Sequence, residues 1–470
     1  MRTIIYTVLI VFCTAQITGC KKYTDVNTDP NNPLSVQEAL ILAPVELNLS
    51  SVLTGGALTA GPGQGAQLVN HYMQNIALNQ PVPNEGTYQL FNVMLDDTWK
   101  NIYVTSLNNL KVMNDKATTN GNYHYSGIAK ILTAFCLGIA TDYWGDIPYS
   151  EAFNGINKLQ PVYDSQESIY KTMQQLLDDG IADINKNALI KPGSDDYFYG
   201  GDMAKWKRLA YTLKARYYMH LTKAPGYTAL AQANLALTAL QNGMQANTDD
   251  LKMAYPGSAG KQNPWYINTL PASTLVLSSA CVDTLVTRND PRLEKMIDTA
   301  KETGKYTGRP IGSVNISGSL DIYSLPGSAY GATNSPAYVF NYSEALFLKA
   351  EATLIKSGFA AAEPVYQDAI KSHMAKLGID TADVTTYLAS RGTLTAANAL
   401  QRIMEEKKIA NFLSIENFND WRRTGYPLLT KVPHASSEIP RRFLYPQVEI
   451  ISNPQAIQTA KLTDRVWWDR

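Results

Sequence analysis

The stretch Gln262-Asn263-Pro264-Trp265-Tyr266 places two aromatic rings and two side-chain amides within five residues. A sugar ring has an apolar C–H face and a rim of hydroxyls, so a site for it needs an aromatic platform beside hydrogen-bonding partners. Trp265 is the first candidate platform, with Tyr266 next to it and Asn263 as an amide partner. The proline-punctuated setting predicts a loop on which such rings stand exposed. Tyr323 and Tyr330 flank Pro326-Gly327 in a second loop and are further candidates. Tyr72, close to Gln74 and Asn75 in a stretch of helical pattern, is the last. Other rings read as core: Trp99 with Ile102, Tyr103 and Leu107, then Tyr197-Phe198-Tyr199, and Trp467-Trp468 near the C-terminus.

Groups arranged for catalysis are scarce. There is no G-x-S-x-G, and in Gly327-Ser328-Ala329-Tyr330-Gly331 the serine stands in the wrong place. His71, His124, His220, His373 and His434 are scattered and form no metal-ligand spacing. The pairs Asp96-Asp97, Asp178-Asp179 and Asp195-Asp196 are adjacent, and neighbours on a helix point apart, so they read as solvated or capping carboxylates. A glycosidase draws its two carboxylates from distant positions and leaves no local signature. Gly61-Pro62-Gly63-Gln64-Gly65 follows no strand and reads as a loop between helices. Asp25, Asn27 and Asp29 imitate the first three ligands of an EF-hand, but Pro30 and Val36 stand where its glycine and bidentate glutamate belong. The expectation is a binding protein with no cofactor, no metal and no catalytic residue.

The N-terminus carries its own chemistry. Arg2 precedes a mostly apolar run from Ile4 to Thr18, too short to span a bilayer. Ile17-Thr18-Gly19-Cys20 resembles a bacterial lipobox, in which the cut falls before the cysteine and lipid is attached to it. The expected organisation is a signal at 1–19, lipidated Cys20 with a polar tether over 20–35, and one body over 36–470. No aspartate follows Cys20 directly, so the inner-membrane retention cue is missing and an outer-membrane lipoprotein is expected.

Charge and cysteines narrow the class further. The 470 residues include 41 basic and 41 acidic side chains, which leaves no basic footprint for nucleic acid. After the signal no second apolar run reaches transmembrane length. Cys13 leaves with the signal and Cys20 would be acylated. Cys136 lies in the apolar run Ile131–Leu137 and reads as a buried free thiol rather than a disulfide partner of Cys281. The 28 tyrosines and seven tryptophans against 17% charged residues suit a recognition surface, although most such rings fill the core.

The elements that must position these residues are mainly helices. Between Ala204 and Leu221, Trp206, Leu209, Ala210, Leu213, Tyr217 and Leu221 fall on one helical face, with Lys205, Lys207, Lys214 and Arg216 off it. Tyr342, Leu346, Ala350 and Leu354 recur every four residues. Ser357-Gly358 then breaks that helix, and Pro364 opens the next, lined by Tyr366, Ile370 and Leu377. Comparable pairs are about 90–114 with 125–143, and 167–184 with 204–221; another helix runs from about 396 to 412. The fold class is all-α, a degenerate tetratricopeptide-type repeat without a strict period. The exception is about 256–336, dense in Gly, Pro, Ser and Asn with short helical pieces such as Arg292–Thr299. So long a turn-rich block, carrying Trp265, Tyr266, Tyr306, Tyr323 and Tyr330, is expected to be the ligand-binding portion.

Six segments in order resemble the SusD/RagB outer-membrane lipoproteins of Bacteroidetes. They are TDVNTDPNNP after Cys20, GGDMAKWKRLAYTLKARYYMHL, NDPRL at Asn289–Leu293, YSEALFLKAEA, RIMEEKKIANFLSIENFNDWRRTGYPLL and IPRRFLYPQVEI. The resemblance runs from the lipobox to the C-terminus. It implies four tetratricopeptide-like pairs with a more irregular ligand-binding portion. It also implies a partner, a TonB-dependent transporter of the SusC type, for which the protein acts as an extracellular lid capturing glycans, peptides or other nutrients. The shared segments do not name the ligand.

Overall fold

The structure, a computed structural model, describes residues 37–55, 64–270, 273–457 and 459–470. The expected signal, Cys20, the tether and Gly61–Gly63 lie outside the described residues. Thirteen α-helices of nine residues or more are described. They are α1 (Ala39–Leu53), α2 (Gln64–Tyr72), α3 (Asn109–Asn120), α4 (Tyr123–Trp144), α5 (Gln166–Ile184), α6 (Met203–His220), α7 (Ala229–Leu240), α8 (Ser279–Thr287), α9 (Tyr342–Ser357), α10 (Phe359–Lys376), α11 (Thr381–Arg391), α12 (Ala399–Ala410) and α13 (Glu416–Thr424). Ahead of α3 the chain winds as Asp96–Lys100 and then a π-helix, Asn101–Asn108, with Trp99, Ile102, Tyr103 and Leu107 buried as the stripe predicts.

Consecutive helices pack as hairpins: α3 on α4, α4 on α5, α6 on α7, and α9 on α10, with α9 also against α7 and α12. The main partner of α5 is therefore α4 rather than α6. The main partner of α6 is α7, an alanine- and leucine-rich run without a sharp apolar stripe. Where α4 crosses α5, Gly127 and Gly180 face each other: a Cβ on Gly127 would come within 2.8 Å of the Gly180 carbonyl, and one on Gly180 within 3.0 Å of the Gly127 carbonyl. The two backbones touch there because neither residue has a side chain.

Several faces are set by ion pairs rather than by apolar periodicity. Along α6 the predicted stripe is buried, but so are Lys214 and Arg216, which the pattern leaves outside. Arg216 reaches Glu344 of α9 at 2.7 Å, and Lys214 pairs with Asp178. On α9 Ser343, Glu344, Phe347, Leu348, Glu351 and Ala352 are buried; of the predicted stripe Ala350 is buried too, while Tyr342, Leu346 and Leu354 are only half-buried. The face is turned because Glu344 meets Arg216 and Glu351 meets Arg423. Pro364 lies inside α10, which begins earlier, at Phe359. His220 is a packed histidine, held between Tyr170 and Glu416. Cys136 and Cys281 are both buried and free, and Trp468 is buried with its Nε1–H on Asp142 at 3.0 Å.

The turn-rich block is ordered by three small antiparallel ladders. β1 (Ile76–Leu78) pairs with β3 (Leu275–Leu277), β2 (Leu251–Met253) with β6 (Ala337–Phe340), and β4 (Ile297–Asp298) with β5 (Leu325–Pro326). The helix expected at Arg292–Thr299 is the single turn Leu293–Met296, after which the chain extends into β4. Arg292 fastens this block to the helices. Its fully buried guanidinium donates to Asp290 at 2.6 Å, to Glu406 of α12 at 2.7 Å and to Tyr387 of α11 at 3.1 Å. It also lies 3.3 Å from His373 Nδ1 of α10. Because Arg292 can only donate, Nδ1 accepts, and Nε2–H is left to donate to the Tyr330 hydroxyl at 3.0 Å.

Two outcomes follow from this packing. Gly127→Ala gains about 1 kcal/mol of helix propensity but forces α4 from α5, and overpacking costs about 1–3 kcal/mol. The urea midpoint is therefore expected to fall, whereas an unchanged midpoint would mean that the crossing is loose. Burial above all, then the charges of Lys376 and Arg292, hold His373 neutral well below its ordinary value. The unfolded chain takes up that proton near pH 6.5 and the folded chain does not, so the contribution is complete above about pH 6.5 and is lost as pH falls below it. His373→Gln keeps an acceptor for Arg292 and a donor for Tyr330. Its urea midpoint is expected to fall less steeply between pH 6.5 and pH 5; a slope equal to the parent's would remove His373 from the account.

Candidate ligand-binding surface

Asn263-Pro264 opens a short helix, Pro264–Asn268, and is not part of an exposed loop. The Asn263 side chain caps it, accepting from Trp265 N at 2.7 Å and Tyr266 N at 3.4 Å, while Nδ2 donates to the Ser335 carbonyl at 2.9 Å. An asparagine cap followed by proline at the first helical position is a start signal that the reading of this stretch as a loop passes over. The turn swings Trp265 inward. It is 4% exposed, packed with Ile76, Leu275, Leu277 and Cys281, and a Cβ on Gly55 would lie 2.9 Å from its ring.

Two more of the candidate rings are buried. Tyr330 stands edge-on to Phe412 with centroids 5.0 Å apart, its hydroxyl on His373. Tyr72 has no exposure and is edge-on to Tyr88 and Phe443. With Asn263 at no exposure either, these four side chains present no face to solvent, contrary to the exposure expected of them. Their apolar area and, for Asn263, three local side-chain hydrogen bonds account for the burial. Tyr266 and Tyr323 remain half-exposed.

Tyr323 is set by a residue that the sequence gives no reason to choose. Arg309 is 1% exposed and donates Nε to the Leu78 carbonyl at 2.8 Å, Nη2 to the Asn315 carbonyl at 2.7 Å and Nη1 to the Tyr323 hydroxyl at 3.0 Å. Its guanidinium also sits 5.6 Å from the Tyr323 ring centroid. One side chain thus joins the end of β1, the 310–317 turn and Tyr323. Asn79 closes the same edge, exchanging two hydrogen bonds with Ser317 at 2.8 and 3.0 Å. Gln80 Nε2 donates to Thr274 Oγ1 at 2.7 Å. Val314, Asn315 and Ile316 are exposed on the turn. The result is a fixed patch with a half-exposed phenol, two aliphatic side chains and amide groups, a chemistry that suits a ligand with C–H faces and hydroxyls. Gly308-Arg309-Pro310 lies in the turn-rich block, and that density of turn residues is the one signal that leads towards the patch.

Among the described residues no helix is long and apolar enough to cross a membrane. No curated protein matches the sequence. Residues 30–446 match a family, SusD-like_2, described as starch-binding and associating with the outer membrane. Among solved structures, a chitin-binding protein is 23% identical with a TM-score of 0.78, the alignment covering 91% of this chain and 99% of the other. A chitin-binding SusD homologue from Flavobacterium johnsoniae is 24% identical with a TM-score of 0.78, covering 92% of this chain and 98% of the other. A SusD/RagB family protein from Bacteroides thetaiotaomicron is 24% identical with a TM-score of 0.76, covering 93% and 99%. These likenesses agree with the all-α, tetratricopeptide-type fold, and with a family match over most of its length the chain belongs to the SusD-like family.

Proposed function

We propose that the protein is a non-catalytic, cell-surface glycan-binding lipoprotein, anchored through Cys20 and facing the exterior, that passes oligosaccharides to a SusC-like TonB-dependent transporter. The observation that carries this reading is the family match over residues 30–446, a family described as starch-binding and outer-membrane-associated. Two structures that share this fold over nearly their whole length are described as chitin-binding, which supports a glycan as the ligand class. Tyr323 serves as the platform, with Gln80 and Asn315 as amide partners, and Tyr266 is a second half-exposed ring open to ligand. Asn263, Trp265, Tyr330 and Tyr72 are buried and serve packing rather than ligand contact.

The soluble body, from about Tyr23 onward, tests this by affinity electrophoresis and calorimetry against starch, soluble chitin oligosaccharides and a peptide panel. Tyr323→Ala is expected to weaken glycan binding by about tenfold or more, near 1.4 kcal/mol, with the melting temperature lowered by only a few degrees through loss of the Arg309 hydrogen bond. Trp265→Ala is expected to cost about 3–5 kcal/mol of stability through the cavity it leaves. Glycan affinity untouched by Tyr323→Ala and Tyr266→Ala would displace the site. Binding of peptides alone would replace the ligand class, and release of product from any polymer would end the non-catalytic reading. In whole cells, Cys20→Ser is expected to abolish labelling by an alkyne fatty acid.

A further inference from the structure

Away from the Tyr323 patch, at the other end of the β1–β3 ladder, a cleft of about 230 Å³ opens between α8, α12 and the Pro427-Leu428-Leu429 loop. Its walls are apolar where Leu285, Ile409, Phe412 and Leu429 meet. Leu428 forms its lip and is 74% exposed. The polar side of the cleft carries an uneven charge. Arg288 is spent on Glu405 at 2.7 Å and Glu406 at 3.3 Å, and Glu405 also takes Arg391 at 3.1 Å. Lys408 Nζ, by contrast, donates to the Met73 carbonyl at 2.8 Å, and among the described residues no carboxylate lies within ion-pair distance of it. An ammonium has three donors, so two are left on the half-buried Lys408 beside the apolar part of the cleft, with no carboxylate paired to its charge.

We propose that this cleft is a second ligand site, taking a small carboxylate with an apolar body: the carboxylate on Lys408, the body against Leu285, Ile409, Phe412 and Leu429. At about 30 Å³ for each water displaced, the space is that of seven or eight waters, enough for a six-membered ring with its acid group. A charge-assisted pair inside a low-dielectric wall is stronger than the same pair at the surface. The site is independent of the glycan reading, since it shares neither residues nor surface with Tyr323.

The groups facing Lys408 are Cys281 of α8, Arg288 just beyond it and Glu405 of α12; the Pro427–Leu429 loop and Met73 bring no titratable group. Burial, reinforced by Arg288 and opposed by Cys281, holds the Lys408 amine down at about 8. A carboxylate needs the charged amine, so affinity should be level below pH 8 and weaken as pH rises through it.

The test is fluorine NMR titration of the intact soluble body with para-trifluoromethylbenzoate and the corresponding neutral amide, with glucuronate read by its displacement of the benzoate. The benzoate is expected to bind at least about tenfold more tightly than the amide, and glucuronate more weakly than the benzoate. Lys408→Met should abolish the preference for acid over amide. Leu428→Glu, at an exposed position that leaves the fold and melting temperature unchanged, should weaken the benzoate by setting a like charge at the mouth. Equal binding of acid and amide, equal binding of glucuronate, no binding of the benzoate at millimolar concentration, or insensitivity to Leu428→Glu would each overturn the proposal.

Discussion

A guanidinium with no contact with water is tolerable only if nearly every N–H finds an acceptor, and Arg292 meets that demand with groups from four parts of the chain. Asp290 is local, Glu406 comes from α12, Tyr387 from α11 and His373 from α10. The turn-rich block has little apolar mass of its own, yet its position is fixed because the charge at its root can be satisfied in one arrangement alone. Through His373 the same cluster reaches Tyr330, so the loop carrying Tyr323 is tied to the helical hairpins by hydrogen bonds as well as by packing.

The helical part repeats the device. Arg216 joins α6 to α9 through Glu344, Arg423 joins α13 to α9 through Glu351, and Lys407 reaches Asp420 at 2.7 Å. Such pairs add little net stability over apolar side chains of the same size, but they penalise every misregistered packing in which one partner is left alone. A scaffold assembled in this way keeps its geometry while the residues it displays vary. That division is what lets one fold carry different sites.

Much of this was legible in the sequence. The stripe from Trp206 to Leu221, the core around Trp99, the helix stop at Gly358 and the turn-rich block all stand where pattern and turn chemistry place them. What escaped has a common physical origin. Buried ionic groups break apolar periodicity, so α9 presents Glu344 and Glu351 inward where the four-residue repeat pointed to Tyr342 and Leu346. Ring exposure escaped for a different reason: whether Trp265 faces out depends on the turn that Asn263 caps and on Gly55, far away in sequence. Arg309 was invisible because all but one of its acceptors are backbone carbonyls, which carry no residue identity. The ladders were hidden too, being two to four residues long and formed between distant segments.

Those ladders bear on the order in which the molecule is built. Asn79 and Ser317, which close the edge beside Tyr323, lie 238 positions apart, whereas the helical hairpins join neighbours in sequence. Closing so wide a loop early has no compensation from local contacts, so the hairpins form first and the β1–β3 edge waits for them. The last region to assemble is generally the first to open. The displayed face is thus expected to open before the hairpins do, and amide exchange there should be slowed by whatever it captures.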